Sequence, residues 1–399
     1  MSDVPQLRFK GFYGPWSKVP LGKVSSVNPS TDSLPNEFRY IDLESVKSGI
    51  LSDPETVKKI DAPSRAQRVL DRSDILFQMV RPYQQNNYFF DMPGSFVAST
   101  GYAQIRYKAA PKYLYQFLHT SAFVKKVFVR STGSNYPAIN SSDLKSIKVW
   151  IPREEDEQKK IGDFLWAVDE KIRLQHARYH EMRAFKKCVM KKIFTQTLRF
   201  KADDGSDFPD WETKPLNKVL FEPKKRNYDL KYGKSHVLSV SGEKGIVNQV
   251  EHLGRSYAGA KVDNYHVVEV GDVVYTKSPL KLNPYGIIKT NKGEAGIVST
   301  LYAVYRPFDE RSGNYIDHYF SVDDNLNRYL RPLVRKGAKN DMKINNSDVL
   351  SDPISIPSSA EQQKITDFLS AIDDKISAVA NQLTQMQDFK KGLLQQMFV

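Results

Sequence analysis

Residues 157–172 read EQKKIGDFLWAVDEKI, and residues 361–376 read EQQKITDFLSAIDDKI. Eleven of the sixteen positions are identical, and Val168/Ile372 and Glu170/Asp374 are conservative exchanges. A match this close at a spacing of 204 residues limits the fold more than any other feature of the chain. The period is far too long for a solenoid unit, so whole domains are repeated. The same spacing continues through Met182/Met386, Phe185/Phe389, Lys186/Lys390, Lys187/Lys391 and Phe194/Phe398. Upstream, Ile139-Asn140 and Asp143 match Ile344-Asn345 and Asp348, and Ile151-Pro152 matches Ile356-Pro357. The halves also start alike: Leu7-Arg8-Phe9-Lys10 parallels Leu198-Arg199-Phe200-Lys201, and Trp16 and Pro20-Leu21 parallel Trp211 and Pro215-Leu216. Inside them, Asp74-Ile75-Leu76-Phe77 corresponds to Asp272-Val273-Val274-Tyr275, and Ser99-Thr100 to Ser299-Thr300. Between these anchors the halves diverge.

Each half therefore has a globular part followed by a long helix, with boundaries at 1–150, 151–197, 198–355 and 356–399. The globular parts mix β-rich runs, DILFQMV (74–80), FVAST (96–100) and SIKVWIP (146–152), with helical spacing in YLYQFLHTSAFVKKVFV (113–129), whose counterpart begins near Tyr315. This predicts an α/β or α+β fold for each. The helical parts carry apolar residues at alternating steps of four and three, the mark of a coiled-coil seam. The seam runs through Ile161, Leu165, Val168, Ile172, Met182, Val189 and Ile193 in the first copy. In the second it runs through Ile365, Leu369, Ile372, Ile376, Val379, Leu383, Met386, Leu393 and Met397. Neither stretch contains a proline, and roughly 38 residues give a helix of about 57 Å. The best partner of each helix is the other, packed antiparallel about a pseudo-two-fold axis. Lys186 and Lys390 fall at equivalent seam positions. There a lysine sets register, snorkels outward or meets a partner, and sequence does not choose between these.

The formal net charge is +13, which points to a polyanionic partner. The first long helix, 158–197, carries ten Lys/Arg against four Asp/Glu, whereas 362–399 balances four against four. The first helix is therefore expected closer to a polyanion or an acidic partner surface. No apolar run reaches the length of a membrane span, the N-terminus lacks a signal-peptide core, and the single cysteine, Cys188, fits a reducing compartment. The expectation is a cytoplasmic protein with no membrane partner.

Catalytic lettering is sparse. YGKS (232–235) has the end of a phosphate loop but Tyr228 where its first glycine belongs. NPYG (283–286) lacks one proline of the adenine methyltransferase motif, and no Gly-x-Gly turn occurs. In PDWETK (209–214) the two acids are separated by one residue, which is chance resemblance to a nuclease. The pair in HARYH, His176 and His180, lacks the glutamate of a zinc-protease helix. The chain reads as non-catalytic, with no metal and no cofactor of its own.

Two divergent globular modules, each followed by a helix opening IP…EQ-K-I--FL---D-KI, resemble the specificity subunit of type I restriction–modification systems over essentially the whole chain. The resemblance implies two similar DNA-recognition domains in pseudo-two-fold arrangement, separated by two long antiparallel coiled-coil helices. Each target recognition domain, 1–150 and 198–355, would read one half of a bipartite, asymmetric double-stranded DNA site, and the helices would set the gap. It also implies partners: modification subunits that methylate adenine with S-adenosylmethionine, docked on the helices, and restriction subunits driven by ATP and Mg. Both cofactors belong to those partners. Base reading needs forked or bidentate side chains. Near the matched central strands these are Gln78, Arg81, Gln84 and Gln85 in the first module, and Lys277, Lys281 and Asn283 in the second. Before the exit segments they are Arg130, Ser134 and Asn135, and Arg335, Lys336, Lys339 and Asn340. Tyr83 and Tyr136 pack on sugars or fill the core. The other readings are a protein-only coiled-coil scaffold and a stand-alone DNA methyltransferase or nuclease with an unrecognised site.

Overall fold

The computed structural model describes residues 3–31, 33–259, 261–336 and 342–399. It divides into two units, one built from 1–177 with 380–399 and the other from 178–379. The units cut across the linear order, because each takes the front of one long helix and the back of the other.

In the first unit, an antiparallel sheet has the order Ser26–Val27, Tyr102–Arg106, Asp74–Gln78, Tyr88–Phe90. Asp74–Gln78 is buried at every position, so it reads as an apolar run and not as an alternation. A second sheet has the order Thr56–Lys58, Glu37–Ile41, Phe96–Ser99, Ala66–Val69, with one parallel pair between Glu37–Ile41 and Phe96–Ser99. The helical run at 113–129 is two helices, Pro111–Phe117 and Ser121–Arg130. The Thr120 side chain accepts from Phe123 N and caps the second, which breaks the run where the spacing alone suggested continuity.

The second unit repeats the first sheet strand for strand: Leu220–Phe221, Tyr302–Pro307, Val273–Thr276, Ile287–Thr290. Its helices Glu310–Phe320 and Asp323–Leu330 stand where the first unit has Pro111–Phe117 and Ser121–Arg130. The second sheet recurs in reduced form, in the order Gly245–Asn248, Leu238–Ser241, Gly296–Val298, His266–Val268. Two antiparallel pairs are joined by one parallel bridge, Val237 to Ile297, where the first unit has a full parallel pair.

The long helices are Glu155–Phe194 and Ser359–Met397. Within the first unit, Ile161 and Leu165 share a core with Leu393, Met397 and Phe398. Within the second, Ile365, Leu369 and Ile372 share one with Val189, Met190 and Ile193. In each unit a helix start thus meets a helix end, which is antiparallel pairing. The seam positions from Ile161 to Ile193 and from Ile365 to Met397 are all buried or half-buried.

The repeated letters have a structural cause. Glu157, 1 % exposed, accepts from Arg8 Nε and Nη2 at 2.7 and 2.8 Å, and Glu361, fully buried, accepts from Arg199 Nε and Nη2 at 3.2 and 2.8 Å. The next residue satisfies a proline carbonyl in both copies: Gln158 Nε2 donates to Pro152 O, and Gln362 Nε2 to Pro357 O, each at 2.9 Å. Phe164 meets Phe9 edge-on at 5.6 Å, and Phe368 meets Phe200 at 5.4 Å. In the second unit the chain turns from the helix end so that Leu198 N donates to Lys192 O. In the first unit Leu7 N makes the equivalent bond to Gln396 O. The repeated motifs therefore weld each globular part to its helices.

Candidate nucleic-acid interface

At the exposed end of Asp74–Gln78 in the first unit, the chain enters a tight turn, Pro82–Gln84. Gln78 is 2 % exposed and holds that turn from beneath. Its Nε2 donates to Gln84 Oε1 at 2.9 Å, its Oε1 accepts from Asn86 N at 3.0 Å, and its backbone N donates to Asn87 Oδ1 at 2.9 Å. Arg81 (φ 53°) and Gln85 (φ 51°) flank the turn in the left-handed region, at about 1 kcal/mol or more each for a side chain with a Cβ. Arg81 N donates to Pro137 O at 2.7 Å, and bridges of Val80 and Thr132 to Ala138 hold the turn against 132–138.

This brings Arg81 over the Tyr136 ring at 4.2 Å. Tyr136 is 64 % exposed and Tyr83 50 % exposed, so neither fills the core. Gln84, Gln85, Ser134 and Asn135 are exposed around them. The result is a raised edge of one stacked guanidinium, two phenol rings and several amides, a combination able to meet base edges and sugar–phosphate together. Arg130 lies at the exposed end of its helix, where Nη1 caps Lys126 O at 3.1 Å.

The second unit builds the corresponding end differently. Lys277 is half-buried and donates from Nζ to Asn346 Oδ1 at 2.7 Å; burial holds its pKa below the usual lysine value. Asn283 is buried, its Nδ2 donating to Asp323 Oδ1 at 2.9 Å. Gly286 (φ +91°) lets the loop return against the Thr276 carbonyl, where a Cβ would collide. Lys281 is exposed, between Leu280 and the 71 % exposed Leu282. Arg335 is exposed on a two-residue strand, Arg335–Lys336, paired with Met342–Lys343. Lys339 and Asn340 lie outside the described residues.

Two basic surfaces were missed from sequence because they lie where the halves do not align. In the second unit, an arm over 224–259 and 261 carries the pair Leu238–Ser241 with Gly245–Asn248 and the short helix Gln249–Leu253, on a small core of Tyr232, Val237, Val262 and Val267. It exposes Lys224, Lys231, Lys234 and Lys261, with Arg255 over the Tyr257 ring at 4.6 Å and Tyr228 69 % exposed. The alternation of basic and aromatic letters in EPKKRNYDLKYGKSH was the available signal. In the first unit, Lys58, Lys59 and the 90 % exposed Ile60 share one tip, and the half-buried Arg68 has a buried Nε with no acceptor among the described residues. Burial alone lowers the pKa of that guanidinium.

Among the described residues no cluster of His, Cys, Asp or Glu is arranged to hold a metal, and no helix is long and apolar enough to cross a membrane. Cys188 is exposed.

The type I restriction modification DNA specificity domain matches the chain twice, over residues 14–183 and 209–386. The chain belongs to this family. Two relatives carry the same assignment. One is a putative type I restriction enzyme MjaX specificity subunit from Methanocaldococcus jannaschii, 25% identical over 292 residues. That match covers 67% of this chain and 62% of the relative. The other is the type I restriction enzyme HindI specificity subunit from Haemophilus influenzae, 26% identical over 184 residues, covering 44% and 37%. The matches thus span less than two thirds of those relatives' own lengths. Among solved structures, a type I restriction–modification S subunit from M. genitalium aligns over 99% of both chains with a TM-score of 0.58 at 12% identity. A chain from a study of assembly and conformational transition in the type I system aligns over 95% and 96% with a TM-score of 0.53 at 20% identity. At these identities the likeness establishes the fold of the specificity family, two mixed α/β domains joined to long coiled-coil helices.

Proposed function

We propose that this specificity-family chain reads a two-part, asymmetric double-stranded DNA target, one part with each unit, and positions modification subunits on it. The observation that carries the reading is a shared frame with different tips. The first sheet and the motif contacts recur in both units, whereas the exposed strand ends carry Arg81, Tyr83 and Tyr136 in one and Lys281 and Leu282 in the other. Two readers on one frame are what a target of two unlike words requires. The +13 charge supplies the sequence-independent attraction to phosphates.

The helices set the gap between the words and offer the docking surface for modification subunits. Those subunits bring S-adenosylmethionine and take the target adenine out of the stack. Restriction subunits with ATP and Mg complete a cutting complex. The chain itself neither methylates nor cuts.

Exchanging residues 1–150 for another module and mapping methylated adenines tests this. One word is expected to change while the other and the gap stay. A change in both words would defeat the two-reader reading. Binding of the complex to DNA is expected to weaken steeply with salt, and salt-independent binding would favour a protein-only scaffold instead.

A further inference from the structure

A lysine in a coiled-coil seam weakens the pairing unless something on the partner helix answers its charge. Both seam lysines are answered. In the second unit Lys186 Nζ lies 2.5 and 2.7 Å from the two carboxylate oxygens of Asp373, with the lysine side chain 19 % and the aspartate 38 % exposed. In the first unit Lys390 Nζ lies 2.5 Å from Asp169 Oδ1, with side chains 17 % and 25 % exposed. Asp169 and Asp373 occupy the same place in the repeated stretch, as do Lys186 and Lys390. Each long helix thus carries one aspartate and one lysine, in the same order and separated by the same number of residues.

The first unit's pair also reaches the globular part. Asp169 accepts from Gln116 Nε2 at 2.6 Å, and Gln116 is fully buried on the helix Pro111–Phe117. The ion pair, the two helix segments and that helix therefore meet at one point in the first unit.

We propose that Lys186–Asp373 and Lys390–Asp169 are register locks, positioning residues that fix how far along the helices each reader is held and so fix the gap between the two DNA words. The inference rests on the two-reader reading above. Apolar seams alone tolerate a slip of one heptad, because Leu, Ile, Val and Met exchange readily. A slip would place Lys390 opposite Gly162 or His176, and Lys186 opposite Thr366 or Ala380. None of these is acidic, so only the native register gives each lysine a carboxylate. Because both helices are continuous, an insertion in one alone between its aspartate and its lysine leaves at most one lock satisfied. The lock also accounts for the aspartate retained at the thirteenth position of EQKKIGDFLWAVDEKI and its copy: it belongs to the seam and not to an outer face.

The test uses the full chain with a modification subunit of its system, mapping methylated adenines across chromosomal DNA. The chains compared are wild type, Lys186→Met, Lys186→Asp, Asp373→Lys and the double exchange Lys186→Asp with Asp373→Lys. The single variants are expected to keep both words and to lose about tenfold, or about 1.4 kcal/mol, in discrimination against gaps about three base pairs too long or short, the length of one heptad. The double exchange is expected to restore the single gap. Lys186→Met keeps the seam apolar, so it reports even where a charge reversal fails to fold. Single variants that keep wild-type gap discrimination, or a double exchange that stays relaxed, would overturn the lock alone. A wild-type map without two words and a fixed gap would instead remove the two-reader reading beneath it.

Discussion

The two units share their hidden ion pairs and differ in what surrounds them. In the first, the fully buried Asp74 binds Arg106 Nε and Nη2, each at 2.8 Å, and also accepts from Gln104 Nε2 and Asp71 N at 2.7 Å. In the second, Asp272 binds Arg306 Nε and Nη2 at 2.7 and 2.8 Å, and its other donor is Glu269 N at 2.8 Å. The pair is the same, and the first unit backs it with one more side-chain donor. A duplicated frame thus keeps the bonds that join strand to strand and lets the layer outside them drift. What drifts most is the exposed end of the same strands, where the two-word reading proposed above requires the units to differ.

That contrast makes the largest expected effect a test of the frame. Arg106→Ala and Arg306→Ala each leave a buried carboxylate without its cation, at about 3–5 kcal/mol. Because Asp74 keeps Gln104, Arg306→Ala should be the costlier of the two. Hydrogen exchange resolved to each unit measures both. Equal losses would show that the extra donor contributes nothing, and a loss spread evenly over both units would break the division itself.

The long helices were legible because their pattern is local: steps of four and three, no proline, and a second copy to confirm the phase. The function of the repeated letters was not legible, because Arg8 and Glu157, or Arg199 and Glu361, meet only after the chain has folded back on itself. Sheet order escaped for the same reason, since the pair of Ser17–Pro20 with Lys148–Ile151 joins the two ends of a module. At the interface, residue type alone misdirects. Gln78 and Asn283 are amides near a strand end, the kind of group that reads a base, yet both are buried supporting a turn or a neighbouring helix. A buried backbone turn needs the same donors and acceptors as a base edge, so sequence does not separate the two uses. The arm at 224–261 escaped because anchors shared by the halves were the guide, and it has none.

Acidification should also distinguish the units. Burial pushes His318 and His266 in the second unit down to about 4, helped by Lys292 and Arg226 respectively. In the first unit burial, and then Lys390, pushes His119 down to about 4. A histidine held below its unfolded value near 6.5 binds a proton in the unfolded chain first. Its stabilisation is complete above that value and fades as pH falls toward 4. Each fully expressed shift amounts to about 3 kcal/mol, so the second unit should lose stability about twice as fast per pH unit from this source. The measurement is denaturation of each unit between pH 6.5 and 4. His318→Gln should bring the two slopes together, and an unchanged difference would place its cause elsewhere.

On DNA, Arg81→Ala should weaken recognition of one word by about 1–3 kcal/mol if its guanidinium meets a base edge. Lys281→Ala should act on the other word and flatten the salt dependence by about one phosphate contact. Methylation rates on targets altered in one word at a time separate these effects. Equal losses over both words from either variant would contradict two independent tips.

The smallest effect concerns how the arginines are held. Arg81 lies over Tyr136 at 4.2 Å, and Arg255 over Tyr257 at 4.6 Å, one stack at a strand end and one on an arm. An exposed stack of this kind contributes about 0.5–1 kcal/mol, or about a two- to fivefold change in binding. Arg81 is also fixed by its left-handed backbone and by its N–H bond to Pro137 O, constraints that Tyr136→Leu leaves in place. Arg255, in contrast, follows directly after Gly254 (φ +75°), where the short helix Gln249–Leu253 ends. Removing the ring should therefore matter more for Arg255. Tyr257→Leu is expected near fivefold on one word, and Tyr136→Leu near twofold on the other. If the order reverses, backbone strain is not what presents Arg81, and the first tip depends on its aromatic ring as the second does.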